Sequence, residues 1–417
     1  MDISINLERL KADLMDLAQI GRDPNGGISR PSFSKADLQA REWLKSRIKS
    51  AGLEVRQDGA GNIFGRLLSE TAGQEEGEGG IKTIMTGSHI DTVLNGGEYD
   101  GSLGVLSALE CLRRIKEKGI KLAKPLEVAA FTDEEGNLVG DFLGSRAFIG
   151  CLNCELLEKG ITQFGAPLTE ILKGTDFTID SIINAHQARP QLEAFLELHI
   201  EQGPVLELEE KNIGIVDKIA GKNYWMCAFT GEAGHAGTTP IEFRHDAFLG
   251  LADFSLKGTH FVATKHYGSM LTIGKVHLHP GAFSIIPDRA EFTLDFRSAS
   301  ADSLKDMEEV LPQIANDITS TRGLQFNYRT IDKTVPVEIP RRILDAVESE
   351  CKKLNYSYMV MPSGAGHDAQ ILAEVTDSGL IFIPSIDGIS HSPEEKVTWE
   401  DVERGANLLL QTILSLL

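Results

Sequence analysis

The sequence predicts an α/β protein into which a smaller α+β domain is inserted. Three observations lead there. The first part of the chain alternates short apolar, strand-like runs with segments whose apolar residues recur at helical spacing. Between Asp217 and Lys333 the pattern changes to strand-like runs with helical segments between and after them. Histidines and carboxylates recur at the C-terminal ends of strand-like runs, the edge where open α/β sheets bind ligands.

Each element has its own reason. Residues 82–89 are β-rich and close in polar residues. Over 103–118, Val105, Leu106, Leu109, Leu112 and Ile115 mark one helical face. Residues 126–132 (LEVAAFT) read as a short buried strand. Residues 194–200 alternate: Leu196, Leu198 and Ile200 face one way, Glu197, His199 and Glu201 the other. In the middle, 214–219, 224–230, 270–277 and 290–297 read as strands, 244–257 and 301–321 as helices. Residues 380–384 (LIFIP) are another buried-type strand, and 401–417 an amphipathic terminal helix. The expected domains are therefore 1–216 with 334–417, and 217–333 inserted. The Gly/Glu-rich stretch 70–80 reads as a solvated hairpin loop.

Composition narrows the function. At 417 residues the chain is long enough for two to three domains. Apolar residues make up 41% and charged ones 24%, the balance of a globular protein. With 41 Lys and Arg against 61 Asp and Glu, the net charge is −20, which argues against nucleic acid or an anionic membrane as a partner. No apolar run approaches the ~18 residues that would span a bilayer. The acidic, amphipathic N-terminus lacks the basic and apolar regions of a signal peptide. Five cysteines suggest no disulfide framework, and a cytoplasmic location fits them. Cys151 and Cys154 form one C-x-x-C with no thioredoxin-like context.

No nucleophile elbow, Walker loop, dinucleotide fingerprint or H-E-x-x-H occurs. Five segments stand out instead: TGSHID (86–91), GGEYDG (96–101), FTDEEG (131–136), ELHIEQG (197–203) and ISHSP (389–393). They supply His89, His199, His391, Asp100 and the pair Glu134–Glu135. Imidazole with carboxylate suits borderline divalent ions such as zinc, and one shared carboxylate makes a two-metal site. Of two adjacent glutamates, one can ligate while the other moves a proton between water and leaving group. Asp91, two residues beyond His89, can hold the far ring nitrogen of that ligand. Taken singly, DEEG could be a helix start and Asp100-Gly101 a turn. Their joint occurrence at strand ends favours the metal reading.

With DPNGGISR, GSHIDTVLNGGEYDG, FTDEEG, ELHIEQGPVLE, GHAGTTP, LDFRS, PSGAGHDAQ and DGISHSP, nearly the whole chain resembles the M20 peptidase superfamily, in its hydantoinase/carbamoylase branch. The resemblance implies a two-metal amidohydrolase/exopeptidase-like catalytic domain with an inserted α+β lid that also forms a homodimer. It implies that His89 and His199 bind one metal side each, that Asp100 bridges, and that Glu135 and His391 complete the second ion. Glu134 becomes the general acid/base and Asp91 the residue orienting His89. His235 of the lid H-A-G motif would reach the partner subunit's active site and stabilise the oxyanion. Arg297 would grip a substrate carboxylate. Gln202, Ser284, Gly364, Ala365 and His367 fall at substrate-pocket positions.

The implied activity is hydrolysis of linear amides outside peptides (EC 3.5.1.-) on a small carboxylate-bearing substrate. An N-carbamoyl-L-amino acid, giving amino acid, ammonia and carbon dioxide, stands ahead of allantoate or another N-acyl amino acid. Two divalent ions per subunit are expected, zinc ahead of manganese or cobalt. The chain departs from its relatives at Ser284, where Asn is usual, at Asn137-Leu138-Val139, and at Gly234. These departures bear on the group cleaved, with Phe283 available to an apolar acyl pocket.

Overall fold

The computed structural model describes residues 3–68 and 81–417; the expected loop at 70–80 lies outside the described residues. The chain forms two units, Met1–Asp217 with Ile339–Met361 and His367–Leu417, and Lys218–Glu338 with Pro362–Gly366. No helix among the described residues is long and apolar enough to cross a membrane.

The first unit is built on a sheet of β1 (Glu54–Gln57), β2 (Ile63–Leu67), β3 (Thr83–His89), β4 (Leu126–Phe131), β5 (Leu192–Ile200), β6 (Ile213–Ile219) and β7 (Asp377–Ile383). Their spatial order is β1-β2-β4-β3-β5-β7-β6. The middle strands β4, β3, β5 and β7 run parallel, so their C-terminal ends share one edge. Every residue of β3 and β4 is buried, as expected of parallel strands covered on both faces. The chain leaves β3 for β4 on one side, then crosses to β5 on the other, which makes the β3/β5 crevice a topological switch point.

Helix Ser102–Glu117 buries Val105, Leu106, Leu109, Leu112 and Ile115 and packs on β3 and on the terminal helix Trp399–Leu416. The terminal helix starts at Thr398, whose hydroxyl accepts the Asp401 N–H. Strand β7 begins three residues before the expected 380, because parallel pairing to β5 runs through Asp377, Ser378 and Gly379, which carry no apolar side chain to signal it.

In the second unit, strands Val276–His279, Arg289–Ser298, Gly221–Thr230 and Gln325–Thr334 lie side by side, with Met270–Thr272 also on Arg289–Ser298. Trp225, Phe229, Phe254, Phe292, Phe296, Met307 and Leu311 form its core with helices Ala247–Lys265 and Ala301–Arg322. Several expectations change here. The run 270–277 is two short strands. The first helix begins at 247 rather than 244, because Asp246 caps it by accepting the Phe248 and Leu249 N–H groups. His245 therefore precedes the helix and contacts the Arg322 carbonyl instead of standing on a helix surface. Gln325–Thr334 was not anticipated: it is mostly exposed and lacks an apolar run. It pairs with Gly221–Thr230 as far as Thr334, and Val337 then pairs with Ile219, so the chain leaves this unit at 338 instead of 333.

Candidate metal centre

Across the sheet edge, the turn after β4 delivers Glu134 and Glu135, β3 delivers His89, β5 delivers His199, and the loop after β7 delivers His391. Asp100 stands just before helix Ser102–Glu117. His89 and His199 end neighbouring parallel strands, with ring centroids 6.1 Å apart. Their Nε2 atoms lie 3.6 and 3.1 Å from Asp100 Oδ1. On the other Asp100 oxygen, His391 Nε2 stands 3.1 Å from Oδ2 and 3.5 Å from Glu135 Oε2. Two triads can thus each hold a cation: His89–Asp100–His199, and Asp100–Glu135–His391. His89 and His199 serve the same side of Asp100, not one side each as expected, because adjacent parallel strands place their ends side by side.

The ring orientations are fixed from behind. His89 Nδ1 is 3.0 Å from the Asp91 carbonyl and His199 Nδ1 is 2.9 Å from the Ile200 carbonyl. With Nδ1–H donating to a carbonyl, Nε2 is the ring nitrogen left aimed at Asp100. The Asp91 carboxylate is 3.8 Å from the His89 ring, so the main chain of Asp91 makes this contact. Its carboxylate instead accepts the Asp133 N–H at 3.1 Å and the Glu135 N–H at 3.4 Å, bracing the turn that presents Glu134. That turn is tight, with Asp133 at φ +58°. Gly101 sits at φ +61°, and a Cβ there would lie 2.4 Å from His89 Nε2.

The donor set fits a divalent cation. The ion pairs of Asp100, Glu134 and Glu135 are with imidazoles. His89 Nε2 and Glu135 Oε1 are buried with no hydrogen-bond partner. Leaving such atoms unpaired is costly unless something else meets them. Burial pushes the Glu134 carboxyl well up, His89 opposing and Glu135 adding to it, and pushes Glu135 up to about 8. Burial also works to raise Asp100, but the imidazoles of His199, His391 and His89 outweigh it and hold it well below the carboxylate range. The bond to Asp100 raises His391 to about 9. A buried carboxylate cluster of this kind lowers its free energy by taking up positive charge.

Glu134 Oε2 stands 3.6 Å from His89 Nε2, at the edge of the first triad. Gln202 Nε2 donates to Asp100 Oδ2 at 3.0 Å. The His367 ring is 4.6 Å from that of His199, and burial, reinforced by His199, keeps it neutral. Glu197 was not singled out from sequence. Buried two residues before His199, it accepts from the Ser88 hydroxyl at 2.6 Å and the Ala369 N–H at 2.8 Å. Its signal was the shared face with His199 along β5.

The other expected residues belong to the second unit. Ile285 pairs with His235, and the Ser284 carbonyl accepts the Ala236 N–H at 2.9 Å, so His235 and Ser284 are neighbours. His235 Nδ1 accepts from Gly237 N–H at 3.0 Å, leaving Nε2–H as the outward donor. Arg297 meets Asp295, the Tyr224 hydroxyl at 2.9 Å and the Gly364 carbonyl at 3.3 Å. The Ala365 N–H bonds the Ser363 hydroxyl at 3.2 Å. Phe283 is fully exposed. His277 and His279 meet edge to face, and His279 meets Glu291.

Residues 85–415 match the family model for peptidase family M20/M25/M40. N-carbamoyl-L-amino acid amidohydrolases from Geobacillus stearothermophilus and Pseudomonas sp. (strain NS671) are 36% and 34% identical, over 98% and 99% of both chains. An allantoate amidohydrolase from Escherichia coli (strain K12) is 33% identical over 94% of both chains. The crystal structure of an amidase of the hydantoinase/carbamoylase family from Burkholderia multivorans superposes with a TM-score of 0.88 at 33% identity, covering 100% of this chain and 99% of that one.

Proposed function

The chain belongs to peptidase family M20/M25/M40, and from that premise we propose that it is a metal-dependent amidohydrolase that cleaves the ureido C–N bond of an N-carbamoyl-L-amino acid. The observation that carries the reading is the pair of triads sharing Asp100, with Glu134 beside them. His89, Asp100 and His199 hold one divalent ion, and Asp100, Glu135 and His391 a second, zinc ahead of manganese or cobalt. Ions held there supply Lewis acidity, acidifying water and polarising the ureido carbonyl. Glu134 Oε2 takes the proton from the attacking water and returns it to the leaving nitrogen. Burial, which disfavours its charged form, suits Glu134 to holding that proton between the two transfers. Asp91 keeps the Glu134 turn in place through two backbone N–H groups.

Arg297 binds the substrate carboxylate, with Tyr224 and Asp295 fixing its guanidinium. His235 Nε2–H stabilises the oxyanion, acting from the partner subunit of a homodimer formed through the inserted unit. Gln202, Ser284, Gly364, Ala365 and His367 are assigned to substrate binding in the same reading. A cytoplasmic location fits the five unpaired cysteines.

Allantoate is the second reading, favoured by the identity to allantoate amidohydrolases. A release assay decides between them. Carbamoyl amino acids, allantoate, β-ureidopropionate and N-acyl amino acids are offered in turn, with ammonia and amine both measured. Ammonia with free amino acid from carbamoyl amino acids alone supports the proposal; turnover confined to allantoate or N-acyl amino acids replaces it.

A further inference from the structure

We propose that Glu395 is a positioning residue that clasps the His391 loop to the Asp100 loop and so closes the second triad. The inference rests on the two-ion reading above and adds a residue to it. His391 is the most exposed member of the centre, its side chain half in solvent, and its backbone sits at φ +56°. A ligand on such a loop needs a brace to stay aimed at Asp100 Oδ2. Glu395 supplies one. It is buried, and Oε1 accepts the N–H of Tyr99 at 2.9 Å and of Asp100 itself at 3.2 Å. Oε2 accepts the hydroxyl of Ser390, the residue before His391, at 2.8 Å.

One carboxylate therefore spans two loops almost 300 residues apart in sequence, each bearing a ligand of the same triad. Gly97 shows how closely it fits: a Cβ there would lie 2.0 Å from Glu395 Oε1. Ser390 also accepts from Gln202 Nε2 at 3.3 Å, so the clasp joins the donor that reaches Asp100. Outer-shell contacts of this sort commonly change metal affinity by about 10- to 100-fold.

The test titrates the chelator-stripped full chain with Co2+ alone, read by calorimetry and by the visible spectrum. Parent and Glu395→Gln should take up two ions, because the amide oxygen keeps both backbone contacts and its nitrogen can donate to Ser390. Glu395→Ala should hold the first ion normally and the second about 10- to 100-fold more weakly. Ser390→Ala, which removes half of the clasp from a surface loop, should move the second ion the same way by less. In a His391→Ala background, Glu395→Ala should add no further weakening; in a His199→Ala background it should.

The proposal is overturned if Glu395→Ala binds both ions as tightly as the parent, or if both ions weaken together in step with thermal unfolding of the stripped protein. Should Glu395→Ala not fold, parent-like binding by Ser390→Ala overturns it equally. A parent chain that takes up fewer than two ions instead defeats the two-ion reading, which the parent arm alone reveals.

Discussion

Replacing Gly101 by alanine would place one methyl group against His89, a proposed metal ligand. The added Cβ would lie 2.4 Å from His89 Nε2 and 2.5 Å from two ring carbons, where ordinary contact begins at 3.4 Å. The ring would have to retreat by about 1 Å, five times the ~0.2 Å tolerance of a ligand bond. His89 has no room to make that move freely: it is buried, and Nδ1 is tied to the Asp91 carbonyl. Gly101, at φ +61° and ψ −46°, lies outside even the left-handed helical well, so an L side chain there adds a backbone penalty of about 1–3 kcal/mol. Gly119 separates the two effects, because it has φ +62° with nothing within 4 Å of its Cβ position. Gly119→Ala should therefore lose about 1–2 kcal/mol of stability and keep its ions. Gly101→Ala should lose the His89–Asp100–His199 ion and ~100-fold or more of turnover. The assay pairs ion content after dialysis with urea unfolding and ammonia release. Parent-like ion content and rate in Gly101→Ala would refute the placement of an ion on His89. Equal ion loss in both variants would blame backbone strain instead of the clash.

Glu134→Gln should retain its full ion content and lose about 10²- to 10⁴-fold in rate, since the amide cannot accept the proton; ion analysis beside steady-state kinetics checks both halves. Loading the chelator-stripped protein at neutral pH should release protons. His391, raised to about 9, and Glu135, raised to about 8, hold protons there and must give them up to ligate. Ion affinity should accordingly weaken as pH falls, and calorimetry in buffers of different ionisation enthalpy counts the protons. His235→Ala should keep its circular dichroism and unfolding midpoint while turnover collapses; parent-like kinetics would remove His235 from the mechanism.

The outer sheet was legible because its central strands obey the simplest rule of burial. β4 (LEVAAF) and the end of β7 (LIFI) are buried, near-continuous apolar runs that stop where polar residues begin, while β3 (TIMTGSH), equally buried, shows itself by its β-rich start. Gln325–Thr334 is not legible in the sequence for the opposite reason. Most of its residues are exposed, and its place is set by pairing along Gly221–Thr230 instead of by its own apolar content. Asp246 shows a third case: a single cap moved a helix start by three residues within a run whose periodicity ran straight through it.

The ligand candidates were legible for a related reason. A parallel sheet gathers the ends of its strands on one edge, so polar residues that follow apolar runs in β3, β4, β5 and β7 must arrive near one another wherever the loops fall. Which side of Asp100 each imidazole faces depends on strand order, and spacing along the chain carries no record that β3 and β5 are neighbours. Asp91 makes the same point at finer scale. Its sequence distance from His89 suggests a carboxylate behind the ring, yet the backbone carbonyl is already there at 3.0 Å. That frees the carboxylate to gather the Asp133 and Glu135 N–H groups on β4's side of the crevice. The residue thereby couples the strand that bears His89 to the turn that bears Glu134, and a neighbour two positions away in sequence acts chiefly on residues more than forty positions on.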